Sequence, residues 1–270
     1  MNISPNELIL APGRAVLQRV GSGGLERLLD VAGPGANGAG LTALFDIEAI
    51  RADPIRVLVS DAWVRYDLIP VDTSTMEEEE ARLLAEAHFL RQYGAPAWPL
   101  RVGAQAGGLL VAGLSPELLA AFETLQSAGK PAPTIATQGA VGAGLPALKG
   151  RVRLAGVEPV FSWLMDQARE TLRSYTGWLL VDEVEILVLA FLERGKLVSI
   201  RSQYCGEDRM AEMLGLLERQ AALESSKETS ILWYSAFGED LNLPDPWQAA
   251  PLSLPVRSAF SRLSSFLMRR

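Results

Sequence analysis

Hydrophobic and polar positions follow the same order twice along this chain, and the second copy is the clearer one. Short apolar runs predict strands, and a 3.6-residue repeat over 208–223 predicts an amphipathic helix. The strands of this copy are predicted over 177–182, 184–192, 197–204 and 230–234. The copy therefore consists of three short antiparallel strands, a helix and a further strand, with a tight turn at 193–196.

Two hairpins are predicted in the first copy. Their strands cover 8–10, 15–20, 55–60 and 63–70. The turn of the first hairpin is Ala11-Pro12-Gly13-Arg14, and the turn of the second is Asp61-Ala62. Between the hairpins lies a glycine-rich region, 21–40, with a short helical pattern over 25–31.

A long helix should follow the second hairpin. Ser74 and Thr75 stand three residues before Glu77 and Glu78, which is the spacing of a capping box, and Gly94 is a typical stop signal. The inward face of this helix is predicted to carry Leu83, Leu84, Ala87 and Leu90.

The remaining pattern divides the chain into lobes. Further strands are predicted over 97–102, 108–113 and 131–137, and Ser115 should cap a helix that ends near Gly129. A helix over 159–174 opens the second lobe; its apolar stripe is Val160, Leu164, Ala168 and Leu172. The predicted organisation is a first lobe over 1–145, a second over 146–240, and a proline-rich connector with a C-terminal helix over 241–270.

The C-terminal helix is amphipathic and basic. Residues 256–270 carry a charge of +4 with no acid, whereas the whole chain carries -7. Such a helix could lie on an anionic bilayer, dock in the groove of a partner, or pack on its own fold. The candidate membrane- or partner-binding residues are Arg257, Phe260, Arg262, Leu263, Phe266, Arg269 and Arg270.

Composition narrows the class of protein. With 49% hydrophobic and 21% charged residues, the chain has a globular balance, and its pI near 5.0 argues against a dedicated nucleic-acid binder. One cysteine, Cys205, excludes an internal disulfide and a thiolate-rich metal site. Neither a secretory signal nor an apolar run of ~18 residues is visible, so we expect a cytoplasmic protein.

Little catalytic chemistry is indicated. His88 is the single histidine and has no nucleophile motif beside it, so a partly buried or surface position is expected. Cys205 would be reactive only if a neighbour lowered its pKa. Residues 33–38 match G-x-G-x-x-G by letter, but the motif follows the predicted helical stretch and contains Pro34, which favours a surface loop.

The doubled pattern resembles the actin-like ATPase-domain superfamily, and within it the PilM-like proteins of type IV pilus machines and the GspL cytoplasmic domain of type II secretion. The residues that carry this likeness are 57–60 and 64–66 with Pro70, the helix end 89–94, the strand 177–182 and the helix end 216–219. The resemblance covers roughly residues 8 to 237 and implies an α/β fold of duplicated ribonuclease H-like lobes, with mixed sheets flanked by helices.

The resemblance also implies where a nucleotide would bind, and this sequence departs from that pattern. Active members carry Asp-x-Gly turns in the first hairpin of each half, whereas this chain has Ala11-Pro12-Gly13-Arg14 and Asp182-Glu183-Val184-Glu185. The paired glycines expected near adenosine are reduced to Ala236-Phe237-Gly238. The expected cofactor is therefore none; in the alternative, ATP with magnesium, Asp182 is the candidate cofactor-binding residue.

From the resemblance we expect a non-catalytic scaffold at the cytoplasmic face of the inner membrane. Its implied partners are the cytoplasmic tail of a single-pass inner-membrane assembly protein and the assembly ATPase. Self-association and contact with an anionic membrane surface are left open. Two alternatives remain: an ATP-binding enzyme or ATP-driven switch of the actin and sugar-kinase superfamily, and a membrane adaptor unrelated to pili.

Overall fold

A computed structural model of the chain describes residues 6–21, 24–35, 39–45, 55–94, 98–105, 107–127, 154–183, 185–206, 208–235 and 241–252. The described residues fall into two compact units, and each unit is built from two separate stretches of sequence. The first unit lies within Met1–Val57 and Glu117–Val157, and the second within Leu58–Pro116 and Glu158–Arg270. The division into lobes over 1–145 and 146–240 stays a prediction.

The strands and helices of the described residues are as follows. The strands are β1 (Asn6–Ala11), β2 (Arg14–Gly21), β3 (Gly24–Ala32), β4 (Ile55–Val59), β5 (Val64–Ile69), β6 (Leu100–Gln105), β7 (Gly108–Leu114), β8 (Leu154–Pro159), β9 (Gly177–Asp182), β10 (Ile186–Glu193), β11 (Lys196–Tyr204), β12 (Ser230–Ser235) and β13 (Gln248–Pro251). The helices are α1 (Leu41–Phe45), α2 (Glu78–Tyr93), α3 (Pro116–Ser127), α4 (Val160–Gln167), α5 (Arg169–Leu172) and α6 (Arg209–Leu223), with a 3-10 turn at Asp61–Trp63.

Two five-stranded sheets repeat one topology. Their strand orders are β3-β2-β1-β4-β8 and β11-β10-β9-β12-β13. In each sheet the first three strands of the sequence are neighbours, and the fourth strand lies on the other side of the first. In the second sheet β9, β10 and β11 are antiparallel neighbours, whereas β12 pairs parallel to both β9 and β13. The duplicated α/β fold with mixed sheets is confirmed.

The first unit begins with the predicted hairpin of β1 and β2. Gly13 has a φ of 72°, a left-handed value that glycine adopts without strain, and this permits the tight turn. The predicted helical stretch over 25–31 was wrong, because these residues form β3, which pairs antiparallel with β2. Pairing with the long free edge of β2 outweighs the weak helical pattern of a short segment.

The predicted hairpin of 55–60 with 63–70 was also wrong. β4 lies in the first five-stranded sheet, whereas β5 pairs with β7 in a separate three-stranded sheet of order β5-β7-β6. The 3-10 turn between them is buried over all three residues, Asp61, Ala62 and Trp63. The chain therefore changes direction inside the protein instead of turning back at its surface.

Helix α2 packs on the three-stranded sheet with a face that shares only Leu84 with the predicted one. Leu83 and Leu90 are 53% and 59% exposed, whereas Ala85 and Phe89 are buried. Phe89 stacks 4.9 Å from Tyr93 and 6.2 Å from Trp98 between ring centroids, so aromatic packing sets the buried face.

The start of α2 differs from the prediction, but its end is as predicted. The predicted capping box is absent: Glu77 is the N-cap and makes no side-chain capping bond, and the Ser74 N–H donates instead to Asp72. The helix ends at Gly94, which has a φ of 73°.

In the second unit the predicted connector over 241–255 was wrong in part, because Gln248–Pro251 form β13, which pairs parallel with β12. Strands β9 to β12 and helix α6 lie within one or two residues of their predicted bounds, and the central strand β9 is buried along its whole length. The predicted helix over 159–174 is interrupted at Ala168 into α4 and α5, although its whole apolar stripe is buried. None of the described helices is long and apolar enough to cross a membrane.

Candidate functional site

Asp182, the candidate cofactor residue, ends β9 and forms an ion pair with an arginine. Its Oδ1 lies 2.7 Å from Nη2 and 2.9 Å from Nε of Arg209, the first residue of α6. Arg209 also donates to the Glu183 carbonyl oxygen. Asp208 caps the start of α6 through the Ala211 N–H, which fixes the position of the neighbouring arginine. The negative charge that would organise a magnesium ion is therefore already balanced by a guanidinium.

Glu183, the next residue, points its carboxylate into the protein. Its side chain is buried, and Oε1 accepts a hydrogen bond of 3.1 Å from the Asp61 N–H. The Glu183 N–H donates to the Ile186 carbonyl oxygen at 3.0 Å, which closes the turn between β9 and β10. The turn expected to approach a phosphate thus uses both of its first two carboxylates in internal contacts.

Asp61 is the buried partner of Glu183, and the sequence had predicted it in the turn of a hairpin. The residue is fully buried; Oδ1 accepts a 2.7 Å hydrogen bond from the Tyr66 hydroxyl, and Oδ2 accepts a 2.9 Å bond from the Phe161 N–H. Because Phe161 lies in the first turn of α4, Asp61 satisfies one of the open donors at that helix end. One carboxyl group therefore joins the 3-10 turn, β5 and α4.

The two buried carboxyl groups perturb each other's titration. Burial, followed by the charge of Glu183, raises the pKa of Asp61 well above its ordinary value. Burial also raises the pKa of Glu183, although hydrogen bonds from Asp61 and Ser60 oppose the shift. Ionising two adjacent buried carboxyl groups together is costly, so the surroundings favour the protonated form of Asp61.

The Asp61–Glu183 pair is enclosed within the second unit. A general acid or base must reach a substrate atom, directly or through one water molecule, and Asp61 has 0% exposure. The hydrogen-bonded partners of Asp61 are Tyr66, Phe161 and Glu183, the last of them 122 residues away in sequence. The pair therefore links the 3-10 turn to β5, to α4 and to the turn after β9.

A groove of about 610 Å³ lies between β5, the second half of α2, and β11, all in the second unit. We call it the β5–β11 groove; the lining residues used below are Arg65, Asp67, His88, Tyr93, Arg201 and Tyr204. Its size falls within the roughly 300–1,000 Å³ typical of ligand sites. The strands supply a rigid base, because β5 pairs with β7 and β11 pairs with β10 along their lengths.

Asp67 is the central acid of the groove. Its Oδ2 lies 2.6 Å from Nε2 of His88, and its Oδ1 lies 3.3 Å from Nη1 of Arg201 and accepts from the Leu68 N–H at 2.9 Å. His88 is partly buried, as predicted, and serves as a partner of this carboxylate. Burial and then Asp67 raise the pKa of Tyr93, while Arg65 and Arg201 oppose the shift.

Tyr204 forms the other wall of the groove. The Arg65 guanidinium lies over its ring at 5.1 Å from the centroid, and Nη2 donates to the Tyr204 oxygen at 3.3 Å. The Tyr204 hydroxyl donates to the Ala62 carbonyl oxygen, so the groove is anchored to the same 3-10 turn that carries Asp61. Exposed arginine and tyrosine on a rigid base are typical of protein-binding surfaces.

Cys205 does not have the environment of a reactive thiol. The residue is half-buried, and burial raises the pKa of its thiol, with Arg209 opposing and Asp182 adding to the shift. A raised pKa disfavours the nucleophilic thiolate. Within the described ranges, no three His, Cys, Asp or Glu side chains come together as they would around a metal ion.

The glycine motif at 33–38 follows the strand β3, so one of the two reasons for setting it aside was wrong. Pro34 remains inside the motif, and only the five-residue α1 follows it. Gly33 has a packing role: a Cβ there would lie 2.2 Å from the backbone of Arg14. Residues 36–38 lie outside the described part.

Several predicted positions lie outside the described residues. They are residues 128–150, Ala236-Phe237-Gly238, and the candidate membrane- or partner-binding residues Arg257, Phe260, Arg262, Leu263, Phe266, Arg269 and Arg270. The functional interpretation of the C-terminal segment therefore stays a prediction.

Sequence reasoning missed the residues that define the groove and the buried pair. Arg65 and Asp67 stand two positions apart in an otherwise apolar strand, and Arg201 follows the apolar Ile200 in β11. This spacing places Arg65 and Asp67 on one face of their strand. The charged residues on these two strands could have indicated a binding surface. The sequence does not show, however, that β5 and β11 are neighbours.

No protein-family model and no curated protein matches the chain at the level of sequence. Solved structures do match. A Bacteroides thetaiotaomicron protein with an actin-like ATPase fold and unknown function has a TM-score of 0.55 at 10% identity, covering 85% of this chain and 80% of that one. The PilM–PilN type IV pilus biogenesis complex gives 0.56 at 16% identity, covering 86% and 82%.

A third match is the cytoplasmic domain of EpsL, an inner-membrane component of the type II secretion system of Vibrio cholerae. The TM-score is 0.50 at 10% identity, and the match covers 97% of this chain and 94% of that one. At such low identities these likenesses show a shared fold and leave the activity open.

Proposed function

Because the chain has the actin-like ATPase fold, we propose that it is a non-catalytic scaffold of a type IV pilus or type II secretion-like assembly. In this proposal it lies in the cytoplasm at the inner membrane and binds the cytoplasmic tail of a single-pass membrane partner. No bound cofactor is part of the proposal.

The observation that carries the proposal is the state of the turn after β9. Asp182 is balanced by Arg209, and Glu183 is buried against Asp61. An ATP-dependent member would need these residues to face magnesium and phosphate, so this chain would first have to break an ion pair. We therefore favour a scaffold over the ATP-binding alternative.

The partner class is supported by the structural matches. PilM was solved with PilN in a pilus biogenesis complex, and EpsL is an inner-membrane component of a secretion system. From these two matches we infer that the partner of this chain is a membrane assembly protein. Contact with an assembly ATPase, self-association and membrane binding through residues 256–270 remain part of the hypothesis.

The β5–β11 groove is the candidate place for the tail. It offers Arg65, Arg201 and Tyr204 on two well-paired strands, and its volume suits a short extended segment. A tail that is disordered before binding must lose conformational entropy, so a rigid groove limits that loss to the tail itself.

A binding screen with tails tests the proposal. Labelled peptides corresponding to the cytoplasmic tails of single-pass inner-membrane proteins of the source organism would be titrated with the purified full chain by fluorescence anisotropy. We expect saturable binding of one tail or a few related tails, with Kd values of roughly 1–100 μM, as is usual for short peptides. Failure of every tail to bind at millimolar protein would contradict the proposed function.

A further inference from the structure

We propose that the β5–β11 groove selects a segment with acidic side chains, and that Arg65 and Arg201 recognise its charge. This inference rests on the proposed function, since the segment would be part of the partner's tail. It adds the chemistry of that tail, which neither the fold nor the structural matches specify.

Arg65 is a cation held in place without a carboxylate. Its guanidinium lies over the Tyr204 ring and donates hydrogen bonds to the Tyr204 oxygen and the Val64 carbonyl oxygen, both at 3.3 Å. In the described part of the chain, Arg65 makes no ion pair with any acid. A guanidinium has five N–H donors in a planar fork that suits a carboxylate, and stacking on tyrosine orients that fork beforehand.

In the described part of the groove, Arg201 faces one acid, Asp67, and shares it with His88. The Arg201 Nη1 to Asp67 Oδ1 distance is 3.3 Å, whereas His88 approaches the other oxygen of Asp67 to 2.6 Å. The Arg201 side chain is 49% exposed and Asp67 only 15%, so the guanidinium extends toward solvent beyond its partner. A second carboxylate could therefore bind Arg201 without displacing Asp67.

The two arginines act on the same small region. Both line the β5–β11 groove together with Asp67 and Tyr93, and both lower the pKa of Tyr93 against the effect of Asp67. Two fixed cations against one acid give the groove an excess of positive charge. The whole chain carries -7, so this excess stands out from its surroundings and would attract an acidic segment over a distance comparable to the Debye length.

The charge also selects among possible occupants. The chain's own C-terminal segment, 256–270, carries +4 and has the wrong sign for this groove. Tyr204 is 49% exposed and Tyr93 lines the same groove, so flat apolar surface lies beside the cations. An extended segment that alternates acidic and apolar residues matches this arrangement, because its successive side chains would meet different walls.

A charge series of synthetic peptides tests the inference. Three short fluorescein-labelled peptides would share the same leucine positions and carry glutamate, glutamine or lysine at every second residue. We expect the glutamate peptide to bind the full chain, the glutamine peptide to bind about tenfold more weakly, and the lysine peptide not to bind. Arg65→Gln and Arg201→Gln should each weaken binding of the glutamate peptide about fivefold to tenfold.

Arg169→Gln is the matched control. This arginine lies on α5, outside the groove, and is 74% exposed, so its replacement removes the same charge without touching the groove. The control should leave the affinity within about twofold, since an exposed charge contributes little. Equal binding of the glutamate and glutamine peptides, an equal effect of the control, no binding of the glutamate peptide at millimolar protein, or its displacement by inorganic phosphate as readily as by unlabelled peptide would overturn the inference.

The same arginine variants separate this inference from the proposed function. If a membrane-protein tail binds the wild-type chain and both groove variants equally, the role of the arginines is wrong and the scaffold function stands. If the glutamate peptide binds in an arginine-dependent manner but no tail binds, the groove chemistry stands and the proposed partner is wrong.

Discussion

Replacement of Asp61 by alanine is expected to lower the free energy of unfolding by about 4 kcal/mol. The change removes the acceptor for the Tyr66 hydroxyl and the Phe161 N–H, and it removes the neighbouring carboxyl group of the buried Glu183. Each buried polar group that loses its partner costs about 1–3 kcal/mol, and a small cavity adds to the loss. Urea denaturation followed by tryptophan fluorescence would measure the difference.

Asp166→Ala is the control for this experiment. Asp166 lies on α4, near Phe161 in sequence, but its side chain is 58% exposed and pairs with Arg169 at the surface. Its loss should cost less than about 0.5 kcal/mol. If Asp61→Ala also costs less than about 1 kcal/mol, Asp61 does not join the 3-10 turn, β5 and α4 as described.

The stability should fall as the pH rises above about 4, and Asp61→Asn should reduce this fall. The pKa values of Asp61 and Glu183 are both raised in the folded protein, so between their unfolded and folded pKa values the folded state binds more protons. Their contribution to stability is therefore complete below the unfolded pKa values and is lost as the pH rises through the folded ones. Asparagine at position 61 mimics the protonated acid at every pH.

The measurement is the difference in unfolding free energy between Asp61→Asn and the wild-type chain, from about pH 5 to about pH 8. We expect this difference to move in favour of the variant as the pH rises. Asp166→Asn removes the same charge from an exposed position and serves as the control, with a curve parallel to wild type. Parallel curves for Asp61→Asn and wild type would show that Asp61 does not hold the proton.

The second copy of the topology could be predicted well from the sequence. Strand β9 is a continuous apolar run, and it proved to be the fully buried centre of its sheet. The repeat over 208–223 gave α6 almost to the residue, because its buried side chains recur at helical spacing. Local sequence patterns were sufficient to predict an element where it packs against a neighbouring part of the same sheet.

The errors arose where long-range contacts decide the local structure. The stretch 25–31 looks helical alone, but it pairs with β2. The face of α2 depends on the packing of Phe89 against Trp98, which lies beyond the end of the helix. Helical spacing alone predicted a buried face that includes Leu83 and Leu90, and both leucines proved to be exposed.

The site was the least predictable part. Asp61 and Glu183 are 122 residues apart and come together only in the folded unit, so no spacing in the sequence connects them. Asp182 was correctly singled out as the acid at the end of β9, but its partner Arg209 lies at the start of a helix 27 residues later. An arginine that follows a capping aspartate is common at the start of a helix. This pattern does not indicate which strand end the arginine side chain will contact.

Arg209 occupies the carboxylate of Asp182, on which the ATP-binding alternative depends. The deciding measurement is isothermal titration calorimetry of the full chain with MgATP at millimolar concentration, with an Asp182→Ala variant alongside. A scaffold should give no saturable heat with either protein. A one-site isotherm for the wild-type chain that is lost in Asp182→Ala would contradict it, and would establish a nucleotide-dependent switch in place of a scaffold.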